Sequence, residues 1–543
     1  MSNADLQRLI DAGSLDEAAR QLAQAPDARL MLRLAAALQD RGRGGEALDW
    51  YRRILELDPR NADALLCLAV LHEEADVEQA RGFMDRYIAV RADAAGRLRR
   101  ALMLPAIAES VEHIERVTAR LDRELDELLH GKFAPLRQPE FEVGATPFFL
   151  AYYGRNPKPL LAKVAQACRS VYPTQTECSR KLFASGARLR IGFISTNFND
   201  HSVSKALWGF ARDLPRERFE IYVFAIAPSG DAWTERMRAT ADHYAKLPLD
   251  LEKAREAIAA AKLDIAFFTD IGMDPLTYFL AFWRLAPIQL NSWGHSVTSG
   301  IDTIDYYVSH DACELPQAQS HYSEKLIRLP GYCMPRYLRP ALAARKSRAE
   351  LGLPADKRLY YCPMNLFKLH PEFDAALRAI LERDAQAEIV LVDSARPWTG
   401  QLGARLQRTL GPLLARVRVL PRMKHGDFLQ HLAAADVVLD TFYFGGCNSS
   451  CDAFALAAPV ATLPGFLLPG RFTLGLYEEL GVKDCIARTP AEFVDIALRL
   501  GKERGFRDSV VQRIAKSSDR LFDRPDCGVA LGEALLRIAE ESR

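Results

Sequence analysis

The chain has 543 residues, too many for one hydrophobic core, so three or four folding units are expected. Apolar residues make up 49% and charged residues 26%, an ordinary globular balance. The net charge of +1 gives no cause to expect a nucleic-acid or membrane surface.

There is no uncharged apolar run of about 18 residues, so no membrane insertion is expected. The acidic, helix-like start MSNADLQRLIDAG lacks the apolar stretch of a signal peptide. Ten scattered cysteines then read as reduced thiols in a cytoplasm. Cys447 and Cys451 stand four apart with no His or further Cys at ligand spacing, so no metal site is expected.

Residues 1–95 read as tetratricopeptide-like helical repeats. RLMLRLAAALQDRGRGGEALDWYRRILELDPRNA places Gly42, Ala47, Tyr51 and Pro59 at the spacing of that repeat. Gly13 and Ala18 repeat the Gly-x4-Ala element on a shorter period, and ADALLCLAVLHEEADVEQARGFMDRYI is a degenerate third unit. Such an array either caps the fold or offers a surface to a protein partner. Residues 96–186 read as a helical connecting region. Its aromatic stretch FEVGATPFFLAYYGRNPKPL, broken by Gly and Pro, is expected as a loop packed between domains.

From Ala187 the period changes. RLRIGFIS, FEIYVFAI, LDIAFFTD, PIQLNSW and IDYYVS are short β-rich runs separated by helices or loops, the pattern of a parallel sheet covered on both faces. A linker with scattered prolines covers about 330–356. A second set follows: LYYCPMN, EIVLVDS, VRVLP, DVVLDTF and APVATLPG. The expected units are two Rossmann-like domains, at 187–335 and at 336–543, the latter with C-terminal helices. Two doubly wound sheets place a ligand crevice between their strand C-terminal ends.

Neither sheet has G-x-G-x-x-G after its first strand, and there is no G-x-x-x-x-G-K-[ST] and no D-x-D. An α/β chain of this kind fits the two-domain glycosyltransferase architecture called GT-B. There, a helix N-terminus and basic side chains neutralise a diphosphate without a metal.

In the second sheet, PMNLFKLHPEF puts Asn365 and Lys368 just past a strand, before Pro371, a residue suited to a first helical turn. Lys368 can meet a diphosphate as a compact cation or simply face solvent. LPRMKHGDF supplies a loop whose backbone can pair with a base. Asn448, Ser449 and Ser450 open a helix, where backbone N–H groups favour an anion; plain N-capping is the alternative. Asp452, one turn on, can accept a ribose hydroxyl or hold the loop. In the first sheet, three strand tips carry His201, Asp270 with Gly272, and His295 after Gly294. A base of near-neutral pKa there would activate a hydroxyl.

At these residues the chain resembles the O-GlcNAc transferase family and its bacterial N-glycosyltransferase relatives. The resemblance runs in order through IGFISTNFNDHS, FWRLAPIQLNSWGHSVTSGIDTIDYYVS, HYSEKLIRLPG, NLFKLHP and ADVVLDTFYFGGCNSSCDAFALAAPVATLPGFLLPGR, over about 187–520. It implies an inverting, metal-independent transferase that uses UDP-GlcNAc or UDP-Glc as donor, needs no cofactor and modifies a protein on Ser/Thr or Asn. It also implies roles. Lys368 would bind the diphosphate, with Asn365 assisting. Met423 would hold uracil through its backbone and His425 would lie near the ribose. Asn448, Ser449 and Ser450 would sit under the phosphates with Asp452 on the ribose. His201 and Asp270 would be candidates for the base, and His295 would lie in a neighbouring loop. Animal and plant members have His-Thr-Thr where this chain has Cys447-Asn448-Ser449. Two other classes compete: a repeat scaffold with a degenerate transferase domain, and a transferase for a small-molecule or glycan acceptor.

Overall fold

The computed structural model describes residues 2–177, 187–332, 334–342 and 344–542. The last nine residues of the expected connecting region, 178–186, and two positions of the expected linker, 333 and 343, lie outside these.

The chain opens with antiparallel helix pairs: Asn3–Asp11 with Leu15–Gln24, Ala28–Asp40 with Gly44–Leu57, and Ala62–His72 with Val77–Val90. Asp27, Asn61 and Asp76 each accept from a first-turn amide, so the helix starts are fixed locally. Ala18 and Ala47, the small residues of the Gly-x4-Ala elements, are fully buried at the helix crossings. Beyond them, Val111–His130 buries Ile114, Val117, Leu121, Leu125 and Leu128, a stripe at helical spacing. The aromatic stretch forms a 3₁₀ turn, Phe148–Tyr152, wedged between the units that follow.

The first sheet has seven parallel strands: β1 Leu189–Ser195, β2 Phe219–Ile226, β3 His243–Leu247, β4 Ile265–Phe268, β5 Ile288–Asn291, β6 Tyr306–His310 and β7 Lys325–Leu329. Their order is β3-β2-β1-β4-β5-β6-β7. Five were expected. The additions, β3 and β7, are the two edges, where HYAKL and KLIRL are largely half-exposed and carry charge, so their sequence lacks the apolar run of an inner strand.

The second sheet has the five expected strands: β8 Arg358–Cys362, β9 Ala387–Val392, β10 Val417–Leu420, β11 Val437–Leu439 and β12 Val460–Ala461. They are also parallel, in the order β10-β9-β8-β11-β12.

The final helix, Asp526–Glu541, was expected with the second sheet. It packs instead on the helix Ser202–Asp213 and on β7 of the first unit. The approach is close: a Cβ on Gly528 would lie 2.5 Å from that of Asp213. The chain therefore crosses between the units twice. On the first crossing, Arg336 pairs with Asp213 at 2.6 Å and with Asp523 at 2.7 Å.

The N-terminal helices also touch the second unit. Gln401 donates to the carbonyls of Glu74 and Ala75, both at 2.9 Å. Among the described residues, no helix is long and apolar enough to cross a membrane.

Candidate functional site

Strand order fixes where a crevice opens. In the first sheet the order reverses between β1 and β4, and in the second between β8 and β11. The loops after these four strands carry His201, Asp270, Lys368 and the 440–452 segment. The topology thus brings together groups far apart in sequence.

On the second unit, Lys368 ends a 3₁₀ turn, Leu366–Lys368, and the following helix starts at Phe373, two residues later than Pro371 suggested. Its ammonium donates to the carbonyl of Gly445 at 3.1 Å and lies 4.5 Å from the Phe444 ring centre. Burial pushes its pKa down to about 8, against the opposing pull of Asp440. Asn365 is exposed, and its carbonyl accepts the Lys368 amide at 2.9 Å.

The helix Asn448–Ala455 begins beside Gly445 and Gly446, and no side chain caps it. Plain N-capping therefore does not account for the Asn-Ser-Ser cluster. Each side chain is committed elsewhere. Asn448 Nδ2 donates to the Ser202 carbonyl at 3.0 Å. Ser449 Oγ donates to Met364 Sδ at 3.4 Å, and Ser450 Oγ meets Thr473 Oγ1 at 2.8 Å. What remains for an anion is the first-turn backbone amides, with Lys368 alongside. Cys447 precedes them, and burial pushes its thiol up to about 12, so it is a neutral wall group.

Asp452 is buried and holds the loop. One oxygen accepts from Tyr337 at 3.1 Å and the other contacts His425 Nε2 at 2.8 Å. His425, exposed, opens the helix His425–Ala434, and half-buried Met423 stands just ahead of it. The Asp452–His425 contact joins two of the groups expected near a ribose.

On the first unit, His201 caps the helix Ser202–Asp213, its Nδ1 accepting from the Val203 amide at 3.2 Å. Burial and Lys205 keep its pKa low. A neutral ring accepting at Nδ1 carries its proton on Nε2, so the free nitrogen is a donor. An imidazolium would also face a helix N-terminus, which disfavours it.

Asp270 is fully buried and accepts from Ser195 Oγ at 2.9 Å, from Thr269 Oγ1 at 3.0 Å and from Asn197 Nδ2. Burial and then Asp274 raise its pKa to about 7. It anchors the loop that leads to His201. His295 is buried, its Nδ1 donating to the Ile271 carbonyl at 3.2 Å, and burial lowers its pKa to about 4. Gly272 passes beside it with φ +102°, where a Cβ would lie 2.7 Å from Nδ1.

The 3₁₀ wedge braces both sides. Phe148 stacks on His295 with ring centres 5.2 Å apart, and Tyr152 stacks on Phe444 at 4.4 Å. The ring under Lys368 is therefore backed by the connecting region.

The profile of glycosyl transferase family 41 matches residues 159–334 and 339–526, well over half of the chain. The chain belongs to glycosyl transferase family 41. SEC of Arabidopsis thaliana, a probable UDP-N-acetylglucosamine–peptide N-acetylglucosaminyltransferase, is 26% identical over 288 residues, covering 51% of this chain and 29% of its own length. The UDP-glucose:protein N-beta-glucosyltransferase of Actinobacillus pleuropneumoniae serotype 7 (strain AP76) is 28% identical over 254 residues, 46% of this chain and 40% of that protein. The chain thus spans well under half the length of these curated relatives. A mutant O-GlcNAc transferase of Thermobaculum terrenum shares the fold, with a TM-score of 0.71 at 24% identity over 95% of this chain and 98% of that one. The family resemblance seen in the residues and the GT-B class both stand.

Three groups around this site escaped the sequence: Tyr337, Phe444 and Arg405, whose Nη2 donates to the carbonyl of Leu369, next to Lys368, at 2.8 Å. Tyr337 and Phe444 are recruited by tertiary contact and carry no local signal. Arg405 does carry one, since it falls on the buried stripe of Leu402, Leu406 and Leu410 in the helix Trp398–Leu410.

Proposed function

We propose that this family 41 chain is an inverting, metal-independent transferase that moves a hexose or N-acetylhexosamine from a UDP-sugar to a protein side chain, Ser/Thr or Asn. The observation that carries the reading is the meeting of Lys368 with an uncapped helix N-terminus at the β8/β11 crevice. A cation and free amides there suit a diphosphate, and they act most strongly on the charge that builds as UDP leaves. The acceptor oxygen or nitrogen forms a bond to the sugar's anomeric carbon while the bond to UDP breaks, the electron pair departs with UDP, and the acceptor's proton passes to the departing phosphate or to water.

In this scheme Asn365 assists Lys368, the backbone of Met423 takes the base, and His425 and Asp452 flank the ribose. The amides of Asn448, Ser449 and Ser450 lie under the phosphates. Of the acceptor-side groups, His201 alone is partly exposed, so it meets the acceptor, as a donor from Nε2. Asp270 fixes its loop and His295 walls the site. With no strong base free among these three groups, leaving-group stabilisation carries the rate. The N-terminal helices, read as tetratricopeptide-like, hold the acceptor protein or a second copy, in a cytoplasmic setting.

The test is incubation with a panel of UDP-sugars and a cell lysate, followed by intact-protein mass spectrometry. The expected result is a protein heavier by one hexose or N-acetylhexosamine, with transfer surviving EDTA. Transfer only to small molecules, no transfer at all, or loss on EDTA that magnesium restores would each sink the reading. Fragmentation of the product distinguishes Asn from Ser/Thr.

A further inference from the structure

Arg405 is among the largest fully buried side chains of the molecule, and its guanidinium ties three elements together. Nε and Nη2 form a fork on the Asp374 carboxylate at 3.0 and 2.9 Å. Nη2 also donates to the Leu369 carbonyl at 2.8 Å, and Nη1 to the Ala108 carbonyl at 2.8 Å. Leu369 is the residue after Lys368. Asp374 lies in the first turn of the helix that follows, and Ala108 belongs to the connecting region. Thr409 completes the pair, its Oγ1 donating to Asp374 at 3.3 Å.

We propose that Arg405 is a positioning residue for Lys368: its fork holds the peptide just after Lys368 against the Asp374 helix and the connecting region, and so sets where the ammonium sits. Only a planar guanidinium can serve the carboxylate and two carbonyls at once; a lysine keeps the charge but not the geometry. The Lys368 turn is short: its local backbone bonds are Lys368 to Asn365 at 2.9 Å, Leu369 to Leu366 at 3.1 Å and His370 to Lys368 at 3.0 Å, and none of them ties it to another element. Displacement of about 1 Å at such a group is enough to cost on the order of 100-fold in turnover. The proposal rests on the reading of Lys368 as a diphosphate ligand.

The test is a double-mutant cycle on UDP affinity, by calorimetric titration of the full chain, with Arg405→Lys and Lys368→Met singly and together. Wild-type binding of UDP is the check on the underlying reading, and its absence would overturn that reading and the proposal with it. If UDP binds, Arg405→Lys is expected to weaken it about 10-fold, a hydrogen-bond-sized loss. Lys368→Met should weaken it more, and the double variant no further than Lys368→Met alone. Independent, multiplying losses, or an unchanged Arg405→Lys, would overturn the positioning role. If Arg405→Lys does not fold, Asp374→Asn enters the same cycle, because it loosens the fork while leaving Arg405 on the Leu369 carbonyl. The same non-additivity is expected of it, and its absence is equally decisive.

Discussion

The side-chain amide of Asn448 donates to the backbone carbonyl of Ser202 at 3.0 Å, joining the N-terminal turns of two helices that belong to different α/β units. One turn starts at the proposed diphosphate site and the other carries His201. Asn448 therefore ties the two turns across the crevice between the units. Asn448→Ala removes one hydrogen bond of roughly 1 kcal/mol, and UDP affinity is expected to fall about 3- to 10-fold. Asn448→Asp points a carboxylate at a carbonyl and at the diphosphate, and should reduce affinity by more than about 100-fold. Calorimetric titration with UDP checks both, and equal affinities for the two variants would contradict the assignment.

On the proposed reading of Lys368 as a diphosphate ligand, UDP binding should depend on pH. The pKa of Lys368 in the free protein lies at about 8, and only the ammonium attracts a diphosphate. Affinity should be level below that value and fall roughly 10-fold per unit as pH rises beyond it. Lys368→Met should bind weakly with no such inflection. The measurement is a series of UDP titrations from pH 6.5 to about 9.5 in one buffer mixture.

Asp270 makes stability depend on pH in the opposite region. Its pKa rises from 3.8 to about 7 on folding. Between these values the folded state binds the extra proton, so its contribution is full below the unfolded value and is lost as pH climbs through about 7. The difference in unfolding free energy between the wild type and Asp270→Asn should therefore shift by up to ~4 kcal/mol between pH 4 and pH 8, against the wild type at the higher pH. Urea unfolding at both values reads it. A constant difference would show that folding does not raise the pKa of Asp270.

Tyr337→Phe removes the hydroxyl that donates to Asp452 at 3.1 Å, leaving a buried carboxylate with His425 as its remaining side-chain partner. A loss of about 1–3 kcal/mol is expected. His425→Ala removes a more exposed partner and should cost less. Denaturant midpoints of the two variants rank the contacts, and the reverse order would be inconsistent with the burial of Tyr337.

The inner strands were legible because they are buried on both faces and read as continuous apolar runs. β3 and β7 were not, because an edge strand needs an apolar residue only where it meets a covering helix. At the site, Lys368 and Asp452 were legible as polar groups just past strand ends, while His425 was named only through the family resemblance. What they do was less so. Asn448, Ser449 and Ser450 read as phosphate ligands or caps, yet their side chains bond to Ser202, Met364 and Thr473. Spacing along a helix says which residues share a turn; it does not say which distant carbonyl or hydroxyl will claim them. Arg405 was recoverable, since an arginine among Leu402, Leu406 and Leu410 conflicts with an apolar stripe unless a buried acid answers it.

The return of the helix Asp526–Glu541 to the first unit has a consequence for how the protein is made. The strands β1 to β7 leave the ribosome long before the helix that covers part of that unit. Until it arrives, the nascent first unit carries an uncovered apolar flank around Leu214 and Phe219, where Gly532 later seats. Folding of the first unit is thus completed last, and a chain stalled within the second sheet would expose this flank and so be a client for chaperones.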